Sequence, residues 1–80
     1  MPKSAHTRKY EAFRALLVEA RLNAGVTQTA LARKLGRPQS FVSKFERGER
    51  RLDVVEFLDV ARALGLDPVR VITTLARSTG

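Results

Sequence analysis

Apolar residues in the first third of the chain recur at intervals of three and four. Tyr10, Phe13, Leu17, Ala20 and Ala24, with Leu16 beside them, fall on one face of a 3.6-residue helix that should stop near Gly25. Thr27 can cap a second helix through its hydroxyl, with Leu31, Ala32 and Leu35 turned inward and Gly36 relaxing the chain at its end. Pro38 lacks a backbone donor and is tolerated only around a first helical turn. A third helix therefore starts near Gln39 and runs through Val42 and Phe45 to a stop at Gly48. Asp53 followed by Glu56 forms a capping-box start for a fourth helix, whose buried stripe is Val54, Phe57, Leu58, Ala61 and Leu64 before Gly65. Asp67 and Pro68 open a fifth. Nothing alternates at period two for long enough to make a strand, and there is no internal repeat, so the pattern predicts an all-α, five-helix bundle.

Composition narrows what such a bundle can be. With 80 residues and 44% apolar content, the chain suits one compact domain over residues 1–80 that buries roughly 60% of its unfolded surface. The absence of cysteine removes disulfides, thiolate metal sites and cysteine nucleophiles, which suits a reducing cytoplasm. No apolar run approaches the roughly 20 residues that span a bilayer, and "MPKSAHTRKY" has no secretion-signal core. The expected location is cytoplasmic, on the nucleoid if the host is prokaryotic, with no membrane partner.

The net charge of +7 points toward a polyanion, and its distribution says more than its total. Residues 28–51 carry Arg33, Lys34, Arg37, Lys44, Arg47, Arg50 and Arg51 against Glu46 and Glu49, a local excess of +5. Residues 1–14 carry Lys3, Arg8, Lys9 and Arg14 against Glu11, an excess of +3. Residues 1–7 read as a flexible basic arm, and Lys3, Arg8 and Lys9 either track a nucleic-acid backbone or form a disordered tail. Catalysis finds little support: His6 is the only histidine, no carboxylate pair has an acid–base setting, and Asp53 with Glu56 is explained by capping. No enzyme activity, metal or cofactor is expected.

Two short helices joined by a tight turn at Gly36, the second polar on one side, have the geometry of a helix-turn-helix over about residues 28–47. In that motif the second helix enters the DNA major groove. The residues themselves resemble the XRE family of Cro/C1-type domains. "GVTQTALARKLGRPQSFVSKFERGERR" follows the pattern G-[LV]-T-Q-x-x-L-A-x-x-[LV]-G, then a polar helix, then E-x-G, and "VARALGLDPVRVI" resembles the family's A-x-A-L-G ending. The match covers roughly residues 10–75, with four submotifs in register.

The resemblance implies roles position by position. Gln39, Ser40, Ser43 and Lys44 match the outward positions that read bases; glutamine can pair with adenine and lysine can donate to guanine, while serine bonds either way. Gln28 matches the glutamine that touches a phosphate and braces the start of the reading helix. Arg47, Arg50 and Arg51 lie in the loop that follows the sugar–phosphate backbone, and Arg37 in the turn is a further phosphate candidate. Arg21 and Glu46 occupy the positions of an ion pair tying helix one to the reading helix.

Two features depart from the pattern. Pro38 stands where a capping Ser or Thr is frequent. Phe41 stands where small residues are usual, and it either packs between helices three and four or touches a thymine methyl.

The last helix carries two stripes, Val69, Ile72 and Ala76 on one side and Val71 and Leu75 nearly opposite. One stripe can dock on the domain, and the resemblance assigns the other, Val71 and Leu75, to a twofold homodimer on double-stranded DNA. The expected function is a sequence-specific transcriptional regulator on a pseudo-palindromic operator. Alternatives are an antitoxin-like protein-interaction module with secondary DNA binding, and a non-specific nucleic-acid binder.

Overall fold

A computed structural model describes residues 7–78 as five α-helices: α1 (Arg8–Asn23), α2 (Gln28–Leu35), α3 (Gln39–Glu46), α4 (Val54–Leu64) and α5 (Pro68–Arg77). Among the described residues there is no strand. The side chains that the sequence nominated as caps serve as caps. Thr27 Oγ1 accepts from Ala30 N at 3.0 Å, and Asp53 and Glu56 close a reciprocal box in which Asp53 Oδ1 accepts from Glu56 N and Glu56 Oε1 from Asp53 N. Asp67 accepts from Val69 N, with Pro68 in the first turn of α5. Pro38 leaves α3 with no side-chain cap. Gly36 ends α2 in the left-handed region at φ 67°, where a side chain would cost steric strain, and this reversal carries the chain from α2 into α3.

Leu17, Leu31, Val42, Phe45 and Val60 are the largest fully buried side chains, one or two from each of α1 to α4, and Phe13 and Phe57 meet edge to face beside them at 5.3 Å. Burying each such side chain contributes about 1.5–3 kcal/mol, so α3 is held chiefly by its inner face. α2 and α3 pack on each other, α2 also on α4, and α1 lies across α3, α4 and α5. The loop between α3 and α4 is tied to α1 by Leu52 N, which donates to Tyr10 Oη at 3.0 Å.

Several sequence expectations are corrected. Thr7, expected in the basic arm, caps α1 by accepting from Tyr10 N; residues 1–6, Lys3 and His6 included, lie outside the described residues. Arg8 and Lys9 are helical, and Lys9 Nζ donates to the carbonyls of Leu75 and Ser78 at 3.1 and 2.8 Å, so this cation closes the C-terminal end of α5. Ala24 is exposed, because α1 ends before it. In α4 the buried residues are Phe57, Val60 and Ala61, whereas Val54 and Leu58 face outward.

The two stripes of α5 are reversed. Val71 and Leu75, expected at a dimer interface, pack against the core; Val69 and Ile72 are the exposed pair, at 70% and 48%. Periodicity separates two stripes but cannot say which one meets a neighbour, and the approach of α1 and α4 decides it.

Candidate nucleic-acid interface

α3 presents two unlike sides. Val42 and Phe45 are sealed in the core, while Gln39, Ser40 and Lys44 are exposed and Ser43 is half-buried. Positions 40, 43 and 44 share one side by helical spacing, and Gln39 stands at the open N-terminal end. Ser43 Oγ donates back to the Ser40 carbonyl at 3.3 Å, and its oxygen keeps its acceptor capacity. The four expected base readers are thus together on an uncovered row of donors and acceptors.

Beneath that row runs a connected polar network. Arg21 Nε and Nη2 donate to the two oxygens of Glu46 at 2.6 and 3.0 Å, a bidentate fork between α1 and the end of α3. Both side chains are largely buried, and Arg21 Nη1 also donates to the Val26 carbonyl at 2.8 Å. Gln28 Nε2 donates to Glu46 Oε1 at 2.8 Å, and Gln39 Nε2 donates to Gln28 Oε1 at 2.8 Å. The chain Arg21–Glu46–Gln28–Gln39 therefore fixes both amides, and Gln39 is left with its carbonyl oxygen and one N–H pointing away from the protein. The bracing role expected of Gln28 has a geometric basis here.

Arg14, which sequence reasoning left as mere charge, donates from Nη1 to the Glu46 backbone carbonyl and pairs with Glu11. A cation at the last turn of α3 also suits the negative end of that helix. The signal was available, since Arg14 lies two turns before Arg21 on the same face of α1. Gly48 is buried against it: at φ 80°, an added Cβ would sit 3.3 Å from Arg14 Nε. A side chain there would disfavour the turn and push Arg14 off α3.

On the other flank of α3, toward α4, the phosphate candidates are engaged in different ways. Arg50 forms a second fork, from Nη1 and Nη2 to Glu56 Oε1 and Oε2 at 2.9 and 2.8 Å. Arg37 Nη2 lies 3.7 Å from Glu56 Oε2. Both guanidinium groups lie over the ring of Phe41, at 4.1 Å for Arg37 and 4.9 Å for Arg50. Phe41 is itself buried and meets Phe45 edge to face, so of its two readings the packing one holds.

Hydrogen bonds from Arg50 and from the Asp53 amide hold the Glu56 carboxyl down to about 2. The same fork raises Arg50 above its ordinary value. Glu56 was legible as a cap; its second function was not, because nothing local links it to residues 37 and 50. Arg51 lies over the Tyr10 ring at 4.5 Å, and Arg47 pairs with Glu49 in the open.

Among the described residues, no group of three or more His, Asp or Glu is placed to hold a metal, and no helix is long and apolar enough to cross a membrane. A groove of about 290 Å³ between α1, α4 and α5 is lined by Tyr10, Phe13, Val54, Phe57, Ile72 and Leu75 among others, and lies away from the α3 row.

A tight-turned helix pair with its second helix inward-locked and outward-polar defines the helix-turn-helix class. The match to the family model "Helix-turn-helix domain" extends over residues 12–71, and the chain belongs to that family, within its XRE group of DNA-binding transcriptional regulators. An XRE-family like protein from Pseudomonas syringae pv. tomato str. DC3000 is 53% identical, with a TM-score of 0.88 over 94% of this chain and 92% of that one. The clp gene regulator ClgR from C. glutamicum is 28% identical, with a TM-score of 0.79 over 98% and 100% of the two chains. The restriction-modification controller protein C.Esp1396I, whose tetramer has been solved with its natural 35 base-pair operator, shares the fold at 22% identity, with a TM-score of 0.79 over 90% and 95%. No curated protein matches the sequence.

Proposed function

We propose that the protein regulates transcription by occupying a specific DNA operator, with α3 in the major groove. The observation that carries this reading is the uncovered row of Gln39, Ser40, Ser43 and Lys44 on a helix whose opposite side is locked by Val42, Phe45 and the Arg21–Glu46 fork. A groove reader needs such rigidity, because base discrimination of about 1–3 kcal/mol per contact is lost if the donors wander. Gln39, held by Gln28, offers an acceptor and a donor to adenine; Lys44 offers its ammonium to guanine.

Gln28, Arg47 and Arg51 are the proposed phosphate contacts around that row; Arg37 and Arg50, expected beside them, are engaged by Glu56 on its flank. Phosphate contacts set register rather than sequence. The operator complex of C.Esp1396I gives the precedent for this fold on DNA.

Pairing as a homodimer belongs to the same proposal, through a surface other than the one periodicity suggested. Val54 and Leu58 on α4 and Val69 and Ile72 on α5 are exposed, and Val54 and Ile72 line one groove. Joining two copies there would cover apolar area that is costly to leave in water. A twofold pair would set two reading helices about 34 Å apart, on a pseudo-palindromic site.

Selection from a random-duplex pool at fixed salt tests the reading. The expected product is an inverted repeat, and Lys44→Ala should relax preference at one defined position of each half-site by about 1–3 kcal/mol. Recovery of unenriched sequence would leave only non-specific binding. A different protein held stoichiometrically on the α4–α5 surface in place of a second copy would favour an interaction module.

A further inference from the structure

We propose that Glu56 is an internal competitor for duplex phosphate, which holds Arg37 and Arg50 back from the DNA backbone and lowers the protein's affinity for DNA of every sequence. The inference rests on the functional reading above and adds a regulator of its strength. Its basis is the way the two arginines are occupied. Arg37 precedes α3 and Arg50 follows it, so the pair brackets one flank of the reading row, where a phosphate strand beside the groove would run. Arginine grips phosphate through the same planar fork with which it grips a carboxylate. Arg50 has already spent that fork on Glu56, both Nη groups engaged at 2.8–2.9 Å, and Arg37 leans on the same carboxylate from 3.7 Å.

Burial separates this arrangement from a structural ion pair. The guanidinium-bearing side chains keep 42% and 39% of their surface exposed, while Glu56 retains 15%. The cations are thus reachable from solvent and the anion lies under them. A phosphate arriving at Arg50 must displace the carboxylate or share its donors with a like charge close by, and either cost reduces the gain from the contact. Phe41 keeps both guanidinium groups in place while they are so held, stacking on each of them. Among the described residues Arg47 pairs with exposed Glu49 and Arg51 lies over the Tyr10 ring, so neither is forked by a carboxylate beneath it as Arg50 is.

The test is the salt dependence of binding, read by anisotropy on the selected operator and on a scrambled duplex of equal length. Each phosphate neutralised adds about 0.9 to the slope of log K against log salt. Glu56→Gln, whose amide oxygen can still accept from the Asp53 amide, should steepen the slope by about 1–2 and tighten binding to both duplexes alike, by roughly threefold to tenfold. Asp59→Asn removes the same charge one turn further along α4, where it forks neither arginine, and should leave the slope near that of the native protein.

Arg50→Ala should change the native slope little but cut the gain seen with Glu56→Gln. A drop of about 1 from Arg50→Ala alone would mean that Arg50 already sits on phosphate, and would overturn the proposal even if Glu56→Gln failed to fold. Equal slopes for Glu56→Gln and the native protein, or an equal gain from Asp59→Asn, would overturn it too, with specific binding by the native protein intact. A native protein that binds neither duplex overturns the functional reading itself.

Discussion

Two carboxylates grip arginines on the two flanks of α3, and their surroundings give the same chemistry different consequences. Glu46 is buried, takes a fork from Arg21, accepts from Gln28, and has its backbone carbonyl covered by Arg14. Arg21 and Glu46 keep only 11% and 6% of their side-chain surface exposed, so an anion arriving from solution finds little of the guanidinium to grip. Glu56 takes an equally well-formed fork from Arg50 but lies at the rim, where water, salt and phosphate compete for the cation. Hydrogen-bond lengths alone do not distinguish the two sites. What separates an anchor from an exchangeable clamp is whether a rival anion can reach the guanidinium.

The comparison can be broken most severely at the buried site. Glu46→Ala strands Arg21 and the Gln28 amide in a largely dry setting, and should cost about 3–5 kcal/mol in urea unfolding. A loss below about 1 kcal/mol would show that the buried fork behaves like a surface pair. Gln28→Ala removes one link while Arg21 still satisfies Glu46, so stability should fall by only about 1 kcal/mol. Its larger effect should appear in binding: Gln39 loses the partner that aims its amide, and discrimination at the base it faces should weaken while phosphate-driven affinity changes less.

The smallest effect belongs to the rim. Glu56 carries a carboxyl held down to about 2, against an ordinary value of 4.5. Its contribution is therefore fully present above the ordinary value and is lost as pH falls toward 2. Solvent screening limits that contribution to at most about 1 kcal/mol. The gap between the thermal midpoints of the native protein and Glu56→Gln should be constant near neutrality and close progressively below pH 4.5. A gap that persists undiminished at low pH would assign the difference to packing rather than to charge.

Much of the fold was legible because its signals act within a few residues. Thr27, the Asp53–Glu56 box, Gly36 and Asp67–Pro68 mark helix ends through groups no more than four positions away, and each serves as expected. The reading row was equally legible, since polar residues at 39, 40, 43 and 44 take one side of any helix that buries 42 and 45. Apart from the start of α1, where Thr7, Arg8 and Lys9 belong to the helix and its cap, the failures concern facing. Leu58 and Val54 were placed inside and lie outside, and the α5 stripes were exchanged.

The sequence by itself therefore determined five helices, most of their capped ends, the outward row of α3 and the Arg21–Glu46 partnership that family resemblance implied. Tertiary structure alone decided which stripe of α5 meets α1 and α4, that Lys9 closes the end of α5, and that Glu56 reaches back to arginines six and nineteen positions earlier. The physical reason is range. A cap or a helical face is set by bonds along one short stretch of backbone, whereas the choice between two apolar stripes, or between two partners for one arginine, depends on the surface that a distant segment presents.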